Sequence, residues 1–372
     1  ANIRTMFYNY GMVGGYPDDP GGVDLSVWHS VEVPKGSGMN YTDGTTPFVL
    51  AKVKDSKGRD IYIMETGYRE RQGTSPTRNK VMRFEPRPGY FQADPGINKG
   101  RSPAISSDPR TWPGFWPDKL NDPDDPGWVD ENEDPEVDDP SQSAWNGYFG
   151  KKPAADQESY TVMDDDFYDA FDFYPDSRDR TRRGLGLRIE VRGFQWANPQ
   201  AGNVIFWHYD ITNEGTTDYN DNIIFGMYMD SGVGGSALSC DGIYESDDDN
   251  AYFDKSFGLN LVYTWDKFGH GRNLLSNCGT TGYLGYAYLE TPGNRFNGVD
   301  DDEDGIIDEQ RDGGPGQQLT STDQITAWLQ ANYNLDKFTR AIGTIASRPA
   351  WRAGTWWTGD EDMDWVAELN DT

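Results

Sequence analysis

Between residues 185 and 212 the chain alternates apolar and polar side chains with a period of two. Leu185, Leu187, Ile189 and Val191 share one face, and Arg188, Glu190 and Arg192 share the other. Trp207, Tyr209 and Ile211 then alternate with Phe206, His208 and Asp210. That period belongs to strands with one buried face, not to helices. Further apolar runs follow at 223–229, 259–265 and 283–289, separated by turn residues such as Asn213-Glu-Gly215. Strands without alternating helices predict antiparallel sheets packed as a sandwich. Upstream, Phe48–Val53 and Asp60–Met64 flank Asp55-Ser-Lys-Gly58, the pattern of a hairpin. One helix is expected. Ser321-x-x-Gln324 reads as a capping box, with Ile325, Trp328 and Leu329 on one face and an end near Phe338. The implied organisation is an N-terminal β region at 1–86 and an acidic, Pro-rich insertion at 87–157. A β core at 158–310 follows, then a helix and C-terminal segment at 311–372.

Composition narrows function more than fold. Lys and Arg total 33 against 62 Asp and Glu, a formal charge of −29. Such a surface excludes duplex nucleic acid as the default partner and disfavours anionic lipid. Aromatic residues make up 14% of the chain although hydrophobic residues reach only 35%. Disordered acidic chains are poor in aromatics, so this one folds, around Trp, Tyr and Phe. No apolar run has the length of a membrane span. The start, Ala1-Asn-Ile-Arg4, reads as a mature end left by signal-peptide cleavage, which places the protein outside the cell. In that compartment Cys240 and Cys278 are expected to form a disulfide, whereas in the cytosol they would be buried thiols.

The sharpest motif is Asp300-Asp-Asp302-Glu-Asp304-Gly305-Ile-Ile-Asp308-Glu309. Alternate carboxylates followed by glycine let a tight loop wrap a hard cation with oxygen ligands. Asp300, Asp302 and Asp304 would bind directly, Ile306 through its carbonyl, and Asp308 at the ninth position. Arg311 stands where an EF-hand carries its bidentate Glu, so Glu309 or Asp312 would replace it. The cofactor expected is Ca²⁺, in a stapling role. Asp360, Asp362, Asp364 and Glu368 repeat the spacing less well, because Trp365 occupies the glycine position. The triplets Asp164–Asp166 and Asp247–Asp249 read first as charged loops, since consecutive strand residues face opposite ways. In the span 122–139, ten of eighteen residues are acidic. The arginines at 178, 180, 182 and 183 read as salt-bridge partners. Trp112, Trp116, Trp356 and Trp357 could stack on sugar rings, or simply fill a Gly-rich core. No elbow, zinc or haem motif occurs, so no catalytic residue is assigned.

Several stretches together resemble a loosely defined group of large secreted proteins from Bacteroidetes-like and related environmental bacteria. They are Arg183-Gly-Leu-Gly-Leu187, Phe194-Gln-Trp196, Phe206-Trp-His-Tyr-Asp-Ile-Thr-Asn213, Gly226-Met-Tyr-Met-Asp230, Leu284-Gly-Tyr-Ala-Tyr-Leu-Glu290 and the loop at 300–309. The resemblance covers roughly residues 180–310. It implies immunoglobulin-like β modules with Asp-rich calcium loops, often carried by type IX secretion, although the sorting segment of that route is lacking here. The fold class expected is thus mainly β, an antiparallel immunoglobulin-like sandwich with long acidic, Pro/Gly-rich insertions and one short C-terminal helix. The function expected is a calcium-stabilised structural or adhesive surface protein, not an enzyme. It would assemble with itself or other surface proteins, and a fibre could form if the run Ile3–Tyr10 completes a neighbour's sheet. The alternative for the same run is pairing within its own domain. The alternative is a carbohydrate-binding module or glycoside hydrolase acting on glycans.

Overall fold

The computed structural model describes residues 1–15, 29–68, 73–77, 81–113, 155–219, 222–234, 247–254, 260–271, 279–289, 318–332 and 356–357. The protein is mainly β, and its sheets are antiparallel. Two compact units are present. The first comprises Ala1–Asn250 with Thr264–Leu284, and the second Ala251–Tyr263 with Gly285–Thr372.

In the first unit β1 (Thr42–Lys54) pairs with β2 (Asp60–Thr66) through the expected hairpin, with Lys54 opposite Asp60. The turn closes on Asp55, whose Oδ1 accepts the backbone N–H groups of Lys57 and Arg59, each at 2.9 Å. The other edge of β1 pairs with β8 (Ile223–Ser231), giving the order β2-β1-β8. A second sheet carries β5 (Gln157–Asp164), β6 (Leu187–Gln195) and β7 (Phe206–Asn213) as consecutive neighbours. The short strands β3 (Glu85–Pro86) and β4 (Ala104–Ile105) both pair with β5.

The period-two pattern dictates the packing. Leu187, Ile189 and Val191 of β6, and Trp207, Tyr209 and Ile211 of β7, meet Val49, Ala51, Val53 and Ile63 of the first sheet in one core. Arg188, Glu190 and Arg192 lie on the opposite face, where Tyr160 donates to Glu190 at 2.8 Å. Aromatic rings cover glycines across strand pairs. Gly193 lies opposite Trp207, and a Cβ there would sit 2.7 Å from the indole. Gly226 lies opposite Phe48, and a Cβ there would sit 2.4 Å from the ring. Gly and aromatic residues therefore occupy volume jointly, which is how a Gly-rich, aliphatic-poor chain fills its core.

The N-terminal run binds its own chain. Arg4 bridges Glu32, Tyr8 and Tyr10 pack on the core, and Val13 exchanges backbone bonds with Thr45. Among the arginines read as salt-bridge partners, Arg178 pairs with Asp176 at 2.8 Å and Arg182 with Glu214 at 2.9 Å. Arg180 and Arg183 lie over the ring of Tyr174.

β9 (Asp249–Asp254), β10 (Asn260–Asp266) and β13 (Tyr283–Tyr288) form a sheet in the order β13-β10-β9. β11 (His270–Gly271) pairs with β12 (Gly279–Thr280). In the second unit β14 (Gln318–Leu319) pairs with β15 (Trp356–Trp357). Also there is α1 (Thr322–Asn332), which starts where Ser321 Oγ accepts the Gln324 N–H at 3.3 Å. No helix among the described residues is long and apolar enough to cross a membrane.

Candidate metal centre

Three carboxylates meet near the junction of β8, β9 and β10. Asp248 precedes β9, Asp249 opens it, and Asp266 ends β10. One oxygen from each lies within 4.8 Å of the others. The local backbone explains why they converge. Beyond β8, Ser231 Oγ and the Val233 N–H both donate to Asp249 Oδ2, at 2.5 and 2.9 Å. Across the cluster, Asp266 Oδ1 accepts the His270 N–H at 2.9 Å, which closes the turn into β11. Asp249 and Asp266 are thereby each held by backbone or hydroxyl donors of neighbouring turns.

The environment is poorly solvated. Asp266 is 4% exposed, and both Asp248 oxygens are buried. Asp249 Oδ1 is buried and accepts no protein hydrogen bond. Thr264, two residues before Asp266 and on the same strand face, is 3% exposed with an unbonded hydroxyl. Burial, with smaller contributions from the charges of Asp266 and Asp248, pushes Asp249 up to about 6 against the bonds from Ser231 and Val233. Buried oxygen donors of this kind carry a full desolvation cost unless something compensates them. An all-oxygen set with excess negative charge suits Ca²⁺ or another hard cation, and it lacks the nitrogen and sulfur ligands that zinc prefers.

Of the sequence-derived candidates among the described residues, only the Asp247–Asp249 triplet touches this cluster. Its partner Asp266 has no local signal, because only the adjacency of β9 and β10 brings it close. The loop Asp300, Asp302, Asp304, Ile306, Asp308 and Glu309 lies outside the described residues. So do Asp360, Asp362, Asp364 and Glu368, the pair Cys240 and Cys278, and Trp116. Trp356 and Trp357 form β15. Trp112 is 6% exposed, and its indole N–H donates to the Ile105 carbonyl at 2.9 Å. It is an interior residue and presents no face for a sugar, a correction to the stacking role considered for it. The second triplet, Asp164–Asp166, does not converge on itself. Asp165 turns inward, while Asp166 pairs with Arg182 at 3.6 Å.

A separate cleft of about 110 Å³ opens beside Arg4, Phe7, Gln157, Phe194, Gln195 and Trp207. Comparisons with protein-family models, with curated proteins and with solved structures return no match.

Proposed function

We propose that this chain is an extracellular, calcium-stabilised β scaffold with a structural or adhesive role at a cell surface, and not an enzyme. Its two-sheet body is read as an immunoglobulin-like sandwich with long acidic insertions. The reading rests on one observation, the buried carboxylate cluster of Asp248, Asp249 and Asp266 with an unbonded oxygen on Asp249. An unfolded chain cannot assemble these residues from two strands, so an ion bound there stabilises only the native state. Isothermal titration with Ca²⁺, paired with a melt in chelator, tests it. Uptake with a higher melting temperature is expected, and both should fail in Asp249→Asn. An unchanged melting temperature and no heat of binding would remove the calcium reading.

A second reading, a glycan-binding module, draws on the cleft beside Phe7, Phe194 and Trp207, where apolar rings meet the amides of Gln157 and Gln195. Tryptophan fluorescence titrated with soluble polysaccharides distinguishes it. A saturable change lost in Phe194→Ala favours glycan binding, and a flat response rejects it.

A further inference from the structure

A second carboxyl pair lies in the interior of the first unit. Glu65 and Asp165 are each 1% exposed. Glu65 belongs to β2 and shares its inward face with Ile63, a core residue. Asp165 follows the last residue of β5, in the other sheet. Its two oxygens accept the backbone N–H groups of Leu185 at 2.8 Å and Leu187 at 3.0 Å, which anchors it to the start of β6. Glu65 and Asp165 act on each other directly, so the pair links one sheet to the other, and no protein donor reaches either Glu65 oxygen at bonding geometry.

Two carboxylates in contact in a dry interior cannot both be ionised. Among the described residues, no cation pairs with either carboxyl. Asp166 adds negative charge towards both members. Tyr168 and Tyr219 face the pair as neutral phenols, and Tyr219 donates its hydroxyl proton to the Leu185 carbonyl. Arg182, which feels Asp165, is engaged by Glu214 at 2.9 Å and Asp166 at 3.6 Å. Two amide N–H groups donate to Asp165 and favour its ionised form, which makes Glu65 the member of the pair suited to carry the proton.

We propose that Glu65 and Asp165 form a proton-bridged latch between the two sheets, closed while the pair retains one proton and released when hydroxide removes it. Release leaves two like charges in the core, and the contact between β2 and the start of β6 loosens.

The test combines infrared spectroscopy with amide exchange on the full chain. At pH 6 the wild type minus Glu65→Gln difference spectrum should show a protonated-carboxyl carbonyl band beyond those of Asp164 and Asp249, which are common to both proteins. From pH 6 to pH 9, protection at the Leu185 and Leu187 amides, corrected for intrinsic exchange, should fall in the wild type. Once the proton leaves, the limiting slope is about tenfold per pH unit. The variant keeps a donor to Asp165 and should show a flat profile. An identical exchange profile in both proteins, or a difference spectrum without a protonated-carboxyl band, overturns the latch. Should the variant not fold, the wild type alone decides. A band that titrates away in step with lost protection supports the latch, and protection lost while the band persists refutes it.

Discussion

Calcium should raise the melting temperature of this protein through Asp249, by an amount set by the cluster geometry. Three carboxylate oxygens lie within 4.8 Å of one another. At an effective dielectric near 20, each pair at that separation repels by about 3.5 kcal/mol. Asp249 is pushed up to about 6, so at pH 7.4 it is ionised and adds its charge to the cluster. A cation relieves the repulsion. Extracellular calcium modules bind with dissociation constants of about 10⁻⁴–10⁻³ M, so about 10 mM calcium stands at roughly 10–100 times Kd. Linkage then gives about 1.4–2.7 kcal/mol of stabilisation, or roughly 3–11 °C for a body of this size. The pH dependence has a definite sign. A carboxyl whose folded pKa is raised weakens the apo fold as pH rises from the ordinary aspartate value of 3.8 through about 6, with no further loss above that. The calcium increment should therefore grow over the same window. Scanning calorimetry at pH 5 and pH 7.4, in chelator and in calcium, measures both effects. Asp249→Asn retains an oxygen for Ser231 and Val233 but loses one charge, so it should melt higher than wild type in chelator and gain little from calcium. An undiminished calcium increment in this variant refutes the assignment. If Asp302→Ala with Asp304→Ala abolishes the increment instead, the ion belongs to the 300–309 loop.

Other perturbations have sharper structural expectations. Phe84 is 0% exposed, and Phe84→Ala should cost about 3–5 kcal/mol in denaturant unfolding, as expected for a cavity in a packed core. Gly193→Ala places a Cβ 2.7 Å from the Trp207 ring and 2.6 Å from Ser159 Oγ, and should cost about 1–3 kcal/mol, partly recovered by shortening Trp207. Arg178 holds the Asp176 carboxyl down at about 2, so its contribution is lost as pH falls from the ordinary aspartate value of 3.8 towards 2. Acid unfolding of Asp176→Asn should be flatter there, and an unchanged acid limb would show that this pair does not contribute.

The strands were legible because their information is local. Leu187, Ile189 and Val191 announce a buried face by spacing alone, and Asp55 to Gly58 announces a turn by chemistry. Partnership between distant strands has no such signature. Nothing near residue 48 indicates that β1 lies between β2 and β8, a pairing that joins the N-terminal strands to the sheet region far downstream. The same blindness hid both carboxyl sites. Asp248 and Asp249 look like a charged loop until Asp266 arrives from β10. Glu65 looks like an ordinary polar strand residue, although its inward register opposite Val49 was implicit once Ile63 was assigned to the core.

The net charge of −29 is also less informative than it first appears, because much of the acid has a local structural task. Six aspartates among the described residues accept the N–H two positions ahead: Asp55, Asp94, Asp108, Asp164, Asp176 and Asp179. Asn198 and Asn213 do the same at their turns. This Asx turn satisfies a backbone donor that a ladder would otherwise take up, and it recurs wherever short strands reverse. In Asp108-Pro-Arg110 and Asp176-Ser-Arg178 the arginine also folds back onto its own aspartate with both guanidinium contacts between 2.8 and 3.0 Å. Such acids need no external cation. Surplus charge is therefore a weak argument for calcium. The stronger one is a buried carboxylate oxygen that lies beside other carboxylates and caps nothing, and Asp249 Oδ1 is such an oxygen. Its sister oxygen already caps the chain after β8, so whatever binds Oδ1 adds stability beyond the turn itself.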